Sequence, residues 1–81
     1  MSGAVKVSRA LATLEPGEGG TVEAIQYGAL RALCSDLGIR EGEKVRCRAG
    51  RGSMLVLDTQ DGHTVSLARD WARHILVALS G

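Results

Sequence analysis

Between Lys44 and Ala49 apolar and polar positions alternate strictly. Val45, Cys47 and Ala49 fall on one side and Lys44, Arg46 and Arg48 on the other. That period predicts a strand with one buried face and one wet, basic face. From Ala29 to Leu37 the period is helical instead, with Leu30, Leu33, Cys34 and Leu37 at i, i+3, i+4 and i+7. Gly38 is placed to end that helix in the left-handed conformation, with Ile39 where a Schellman ending sets its apolar contact. A helix this short does not persist alone in water, so it must pack on a sheet. Upstream, Glu15-Pro16-Gly17 reads as a turn, and Gly20 opens a first strand over Thr21–Gln26. Residues 1–10 read as a lead-in in which Val5 and Val7 form at most a short strand, and residues 11–81 as one domain.

Two glycine-bearing hairpins follow. If Gln60-Asp61-Gly62 is a three-residue loop, Leu57 faces Val65 and Leu55 faces Leu67; a two-residue Asp61-Gly62 turn would set Asp58 against Val65. A slip of one residue turns every apolar side chain outward, which favours the longer loop. The same reasoning at Gly50-Arg51-Gly52 pairs Ala49 with Ser53, Cys47 with Leu55 and Val45 with Leu57. Arg69–Arg73 has room for one helical turn with Asp70 near its N-terminus, and Ile75–Leu79, apolar on both faces, reads as a closing strand. The expected fold is mainly β: a small SH3-like β-barrel of about five strands, with one short helix after the first.

At 81 residues the chain holds one modest core, and with no Phe, one Tyr and one Trp that core must be aliphatic. The formal charge of +1 argues against a dedicated nucleic-acid binder, and no apolar run approaches the ~20 residues of a membrane span. The N-terminus has no long apolar stretch of the secretory kind, so the expected location is cytoplasmic.

Candidate chemistry is sparse. His63, His74, Cys34, Cys47, Asp58, Asp61 and Asp70 are not at ligand spacing on one element, and Cys34 and Cys47 read as small core hydrophobes; no metal site and no cofactor are expected. No Ser lies in a Gly-x-Ser-x-Gly elbow, and Gly17-Glu18-Gly19-Gly20 lacks the Gly-Lys-Ser/Thr end of a phosphate loop, so no catalytic residue is assigned. What remains is surface. Lys44, Arg46, Arg48 and Arg51 make a basic hairpin face without aromatic side chains for base stacking, which argues against RNA. Tyr27, Ala29 and Ala32 beside the helix stripe, joined by Met54, form a shallow apolar patch. The candidate partner-binding residues are thus Tyr27, Ala29, Ala32, Met54, Arg46 and Arg48.

The order Leu11, Leu14, Pro16, Gly17, Gly20, Val22 follows the pattern Leu-x-x-Leu-x-Pro-Gly-x-x-Gly-x-Val. Arg31, Leu33, Leu37, Gly38, Ile39, Glu41 and Gly42 follow Arg-x-Leu-x-x-Leu-Gly-Leu-x-Pro-Gly, with one extra residue between Arg31 and Leu37 and Glu41 in place of Pro. Val65, Leu67, Ala72, Ile75 and Val77 match more loosely. In these features the chain resembles the FeoA family. The resemblance implies a non-enzymatic SH3-like module that binds the cytosolic part of a FeoB-type ferrous-iron transporter, with no nucleic-acid partner and no membrane insertion. The same module closes some iron-dependent repressors, so a regulatory role is the alternative, and a small RNA-binding barrel a further one.

Overall fold

The computed structural model describes residues 7–79. Six strands form one antiparallel sheet in the order β1-β6-β2-β3-β4-β5: β1 Ser8–Ala10, β2 Gly19–Ile25, β3 Lys44–Arg51, β4 Met54–Thr59, β5 Thr64–Ala68 and β6 Ile75–Leu79. A 3-10 turn (Leu11–Thr13) follows β1, helix α1 (Gly28–Leu37) joins β2 to β3, and a single helical turn, α2 (Arg69–Ala72), joins β5 to β6.

Two expectations need correcting here. The sheet has six strands, because Ser8–Ala10, assigned to the lead-in, pairs with β6 through Ser8↔Ala78, Arg9↔Val77 and Ala10↔Leu76. Val5 lies outside the described residues. The barrel is also not closed: β1 and β5 are the two edges and do not pair with each other. With β1 counted, α1 follows the second strand. In β6, Ile75, Val77 and Ala78 are buried while Leu76 stays 41% exposed.

The second hairpin has the expected register, Leu57↔Val65 and Leu55↔Leu67, with Gly62 at φ 87° and its N–H donating to the Thr59 carbonyl at 3.0 Å. The first hairpin differs. Its loop is Gly52-Ser53 between paired Arg51 and Met54, and Cys47 faces Leu57 rather than Leu55, while Val45 faces Thr59. Gly52 at φ 57° followed by a residue of negative φ is the backbone of a type II′ turn, which needs glycine first. A bulge between Cys47 and Ala49 then restores the phase, so Val45 and Cys47 still point inward.

Helix α1 ends as expected. Gly38 takes φ 91°, and the Ile39 N–H reaches the Cys34 carbonyl at 2.8 Å. Its start is tied to β2 by charge: Arg31 donates to the Ile25 carbonyl at 3.1 Å and to Glu41 at 3.3 Å, while Glu41 Oε2 accepts the Ile25 N–H at 2.9 Å. Glu41 thus gives the last residue of β2 a backbone partner that proline could not.

The core is aliphatic, with Leu11, Ile25, Leu30, Cys34, Cys47, Leu55, Leu57, Ile75 and Val77 almost wholly buried and Val65 partly so. Gly19 and Gly20 let β2 lie tight between its neighbours. A Cβ on Gly20 would overlap the Ala78 carbonyl oxygen and come within 2.7 Å of its carbon; one on Gly19 would come within 2.8 Å of the Val45 carbonyl oxygen. Gly28, by contrast, has nothing within 4 Å of that position. Gly20→Ala should therefore lower the unfolding free energy by about 3 kcal/mol or more, as backbone clashes do. Gly28→Ala, at a helical position with open space, should leave stability unchanged or raise it by up to about 1 kcal/mol. Urea denaturation of both variants checks the opposite signs.

Candidate partner-binding surface

Successive residues of a helix turn by 100°, so Leu30, Cys34 and Leu37 fall close together while Leu33 sits 60° off that centre. Leu30 and Cys34 are fully buried and Leu37 partly, whereas Leu33 is 39% exposed. Sequence periodicity assigned Leu33 to the core; the structure places it on the outer face with Ala29 and Ala32, both exposed. Tyr27, the N-cap of α1, is also exposed, at 52%. Its ring meets His74 edge-on at 5.0 Å, and His74 Nδ1 lies 3.0 Å from Gln26 Oε1, fixing the corner where β2 hands over to the helix. Trp71 in α2 is also exposed, and its carbonyl accepts the His74 N–H at 3.0 Å. Sequence reasoning passed over Trp71 and misplaced Leu33; an isolated aromatic in a one-turn helix carries no periodic signal.

The second cluster is the outer face of β3. Lys44, Arg46 and Arg48 all point to solvent. Arg48 Nε donates to both Asp58 oxygens, at 3.0 and 3.2 Å, and the Thr64 hydroxyl donates to Asp58 Oδ1 at 2.9 Å. The Thr64 hydroxyl first, and then Arg48, hold the Asp58 carboxyl below its ordinary range. Arg46 lies beside Gly19 on one strand and Asp58 on the other. Beside Arg46 lies an open groove of about 770 Å³, lined by Gly17–Gly20, Lys44, Val45, Arg46, Asp58, Thr59, Gln60 and Leu79. Glu18 at its margin is held by the Glu15 N–H at 2.7 Å and by Arg9 at 3.2 Å, and the Glu15 N–H chiefly lowers its pKa.

Met54 stands apart from both. It begins β4 at the hairpin tip, 37% exposed, opposite Arg51 and Ala68. The structure thus gathers Tyr27, Ala29 and Ala32 on one element and Arg46 and Arg48 on another.

Among the described residues no group of three or more His, Cys, Asp or Glu side chains could hold a metal ion. Cys34 and Cys47 are free thiols in the core. Burial pushes the Cys34 thiol up to about 11 and raises that of Cys47 as well, the latter against a pull from Arg69. Both thiols stay protonated at neutral pH and are shielded from reagents.

An open antiparallel sheet with a short helix joining two neighbouring strands defines a small SH3-like β domain. The chain belongs to the FeoA family: the FeoA domain model matches residues 9–79. The crystal structure of an iron uptake regulatory protein (FeoA) superposes with a TM-score of 0.82 at 16% identity, covering 91% of this chain and 99% of that one. A FeoA-like protein from Clostridium acetobutylicum does so at 0.79 and 24%, covering 93% and 88%. A manganese-dependent transcriptional repressor in complex with manganese gives 0.84 and 25%, covering 95% of this chain, which spans only 39% of the repressor. No curated protein matches the chain. The family is associated with iron uptake and consists of small accessory or regulatory domains.

The thiols supply a test. Unfolded cysteines ionise near the ordinary 9.0, whereas native Cys34 keeps its proton to about 11. Stability from this residue is present below the lower value and is lost as pH rises from one to the other. Melting temperature should fall between pH 9 and 11, and less steeply in Cys34→Ala. At pH 8 a disulfide reagent should label neither thiol of the native protein and both after urea.

Proposed function

We propose that this chain is a non-enzymatic accessory protein of ferrous-iron uptake, acting in the cytoplasm by docking on the cytosolic part of a FeoB-type transporter. The observation that carries this reading is the outer strip of α1. Ala29, Ala32 and Leu33 present apolar side chains to solvent on a helix whose other side buries Leu30 and Cys34, and Tyr27 is exposed at its N-cap. Small residues flanked by larger apolar ones allow a partner's backbone to approach closely, and aromatic anchors concentrate binding energy. The basic face at Arg46 and Arg48 contributes long-range attraction to an acidic partner and raises the association rate more than the affinity. No helix among the described residues is long and apolar enough to cross a membrane, consistent with recruitment by protein contact.

A second reading, a regulatory module, draws on the likeness to the manganese-dependent repressor at 25% identity. It would use the same domain beside a DNA-reading partner.

Ala32→Glu separates the helix face from the rest of the molecule. Glutamate costs only ~0.4 kcal/mol of helix propensity at an exposed position, so the fold should persist. Buried in a contact without a counter-charge, the carboxylate costs several kcal/mol. Titration against the cytosolic part of a FeoB-type transporter should show binding weakened by about tenfold or more, with circular dichroism unchanged. Undiminished binding by the folded variant would exclude α1 and transfer the role to the face at Arg46 and Arg48.

A further inference from the structure

Strand β5 is an edge of the sheet. The Thr59 N–H donates to the His63 carbonyl at 2.8 Å, and the Arg69 N–H to the Ser53 carbonyl at 2.8 Å, one at each end of β5. Bonded residues alternate along an antiparallel pair. His63, Val65, Leu67 and Arg69 therefore turn their backbone groups toward β4, and Thr64, Ser66 and Ala68 turn theirs away from the sheet. The pairing with β4 runs from Asp58↔Thr64 to Met54↔Ala68 without a bulge, so the alternation holds throughout. Among the described residues no backbone hydrogen bond outside regular elements reaches Thr64, Ser66 or Ala68. The Ala68 carbonyl is the exception to their freedom, since as the N-cap of α2 it accepts that turn's first bond. The Thr64 and Ser66 N–H and carbonyl groups and the Ala68 N–H remain.

Exposed edges are normally blunted by lysine, proline, a bulge or an inward charge, because a bare edge invites another strand. The sequence Thr-Val-Ser-Leu-Ala has none of these. The opposite edge, β1, is a three-residue strand, too short to mirror β5 in a head-to-tail array. β5 is also self-complementary. Turned antiparallel about Ser66, a second β5 sets Ser66 against Ser66 and Thr64 against Ala68, without like charges facing each other within the strand.

We propose that this chain self-associates through β5, two copies pairing antiparallel about Ser66 to continue the sheet across a two-fold axis. The Ser66 residues exchange two backbone bonds, and each Ala68 N–H donates to the Thr64 carbonyl of the other copy, about four bonds in all. A five-residue edge buries less than a standard interface, so the dimer is a weak one, formed at high local concentration. This inference rests on the sheet alone and stands independently of the transporter reading.

Sedimentation equilibrium of the full chain between about 10 µM and 1 mM should show a reversible monomer–dimer equilibrium, an interface of this size being weak and transient. Ser66→Pro removes an N–H that makes no bond within the fold and places a proline where an edge strand tolerates one. It should remain folded by circular dichroism and weaken association by about tenfold or more. Ser66→Cys should yield a covalent dimer with a short bis-maleimide, because facing residues of a bonded pair lie only about 5.5 Å apart. Thr64→Cys, which would face Ala68, should not. A wild-type protein monomeric throughout, even one that captures an extended peptide, would overturn the proposal, as would a dimer indifferent to Ser66→Pro.

Discussion

The structure depends on the backbone contact at Gly19 and Gly20. There Gly20 is paired on both sides, with Val45 of β3 on one flank and Leu79 of β6 on the other, and Gly19 pairs with Arg46 of β3. The space left between the strands does not admit a methyl group. With β2 held this close, the last strand of the chain lies between β2 and β1 and gives β1 its partner. The long-range order of the fold is set at two residues that contribute no side chain to the core. Both glycines also line the groove beside Lys44 and Arg46.

Much of this was legible in the sequence, for reasons that differ by element. The α1 ending was visible because Gly38 and Ile39 sit where a left-handed cap needs them, and the second hairpin because its alternatives differed by one residue and only one kept Leu55, Leu57, Val65 and Leu67 on a common face. At the first hairpin the face argument loses its force. A register shifted by two residues keeps every side chain on its original face, so pairing Cys47 with Leu55 or with Leu57 looks the same from the pattern. The bulge after Cys47 changes the count by one and has no signature in residue type. β1 was missed because three residues carry too little alternation to announce a strand; pairing with β6 creates it.

At the candidate surface, the sequence was informative about chemistry and less so about placement. It marked Ala29 and Ala32, which lie three apart on the exposed side of α1, with Tyr27 at the helix's N-cap, and Arg46 and Arg48, both exposed on β3. Met54 was grouped with the helix on its apolar character alone, and the hairpin geometry puts it at the tip instead. Leu33 was grouped with the core because a stripe of four apolar residues is wider than the part of it that a thin sheet can cover. In a domain of this size the boundary between core and surface runs through the apolar stripe itself, and residues on that boundary are the ones available to a partner.

The aromatic residues make the same point more sharply. The chain has one Tyr, one Trp and no Phe, and a small domain short of core would ordinarily bury such side chains first, since each removes a large apolar area from water. Here both are outside, Tyr27 at 52% and Trp71 at 42% exposure, while Leu, Ile, Val and Cys fill the interior. His74 connects them, through its ring to Tyr27 and through its backbone to Trp71. Stability forgone by leaving these groups in water is recovered only when a second surface covers them. Tyr27 at the start of α1 and Trp71 in α2, tied through His74, make that corner a place where a partner would gain by binding.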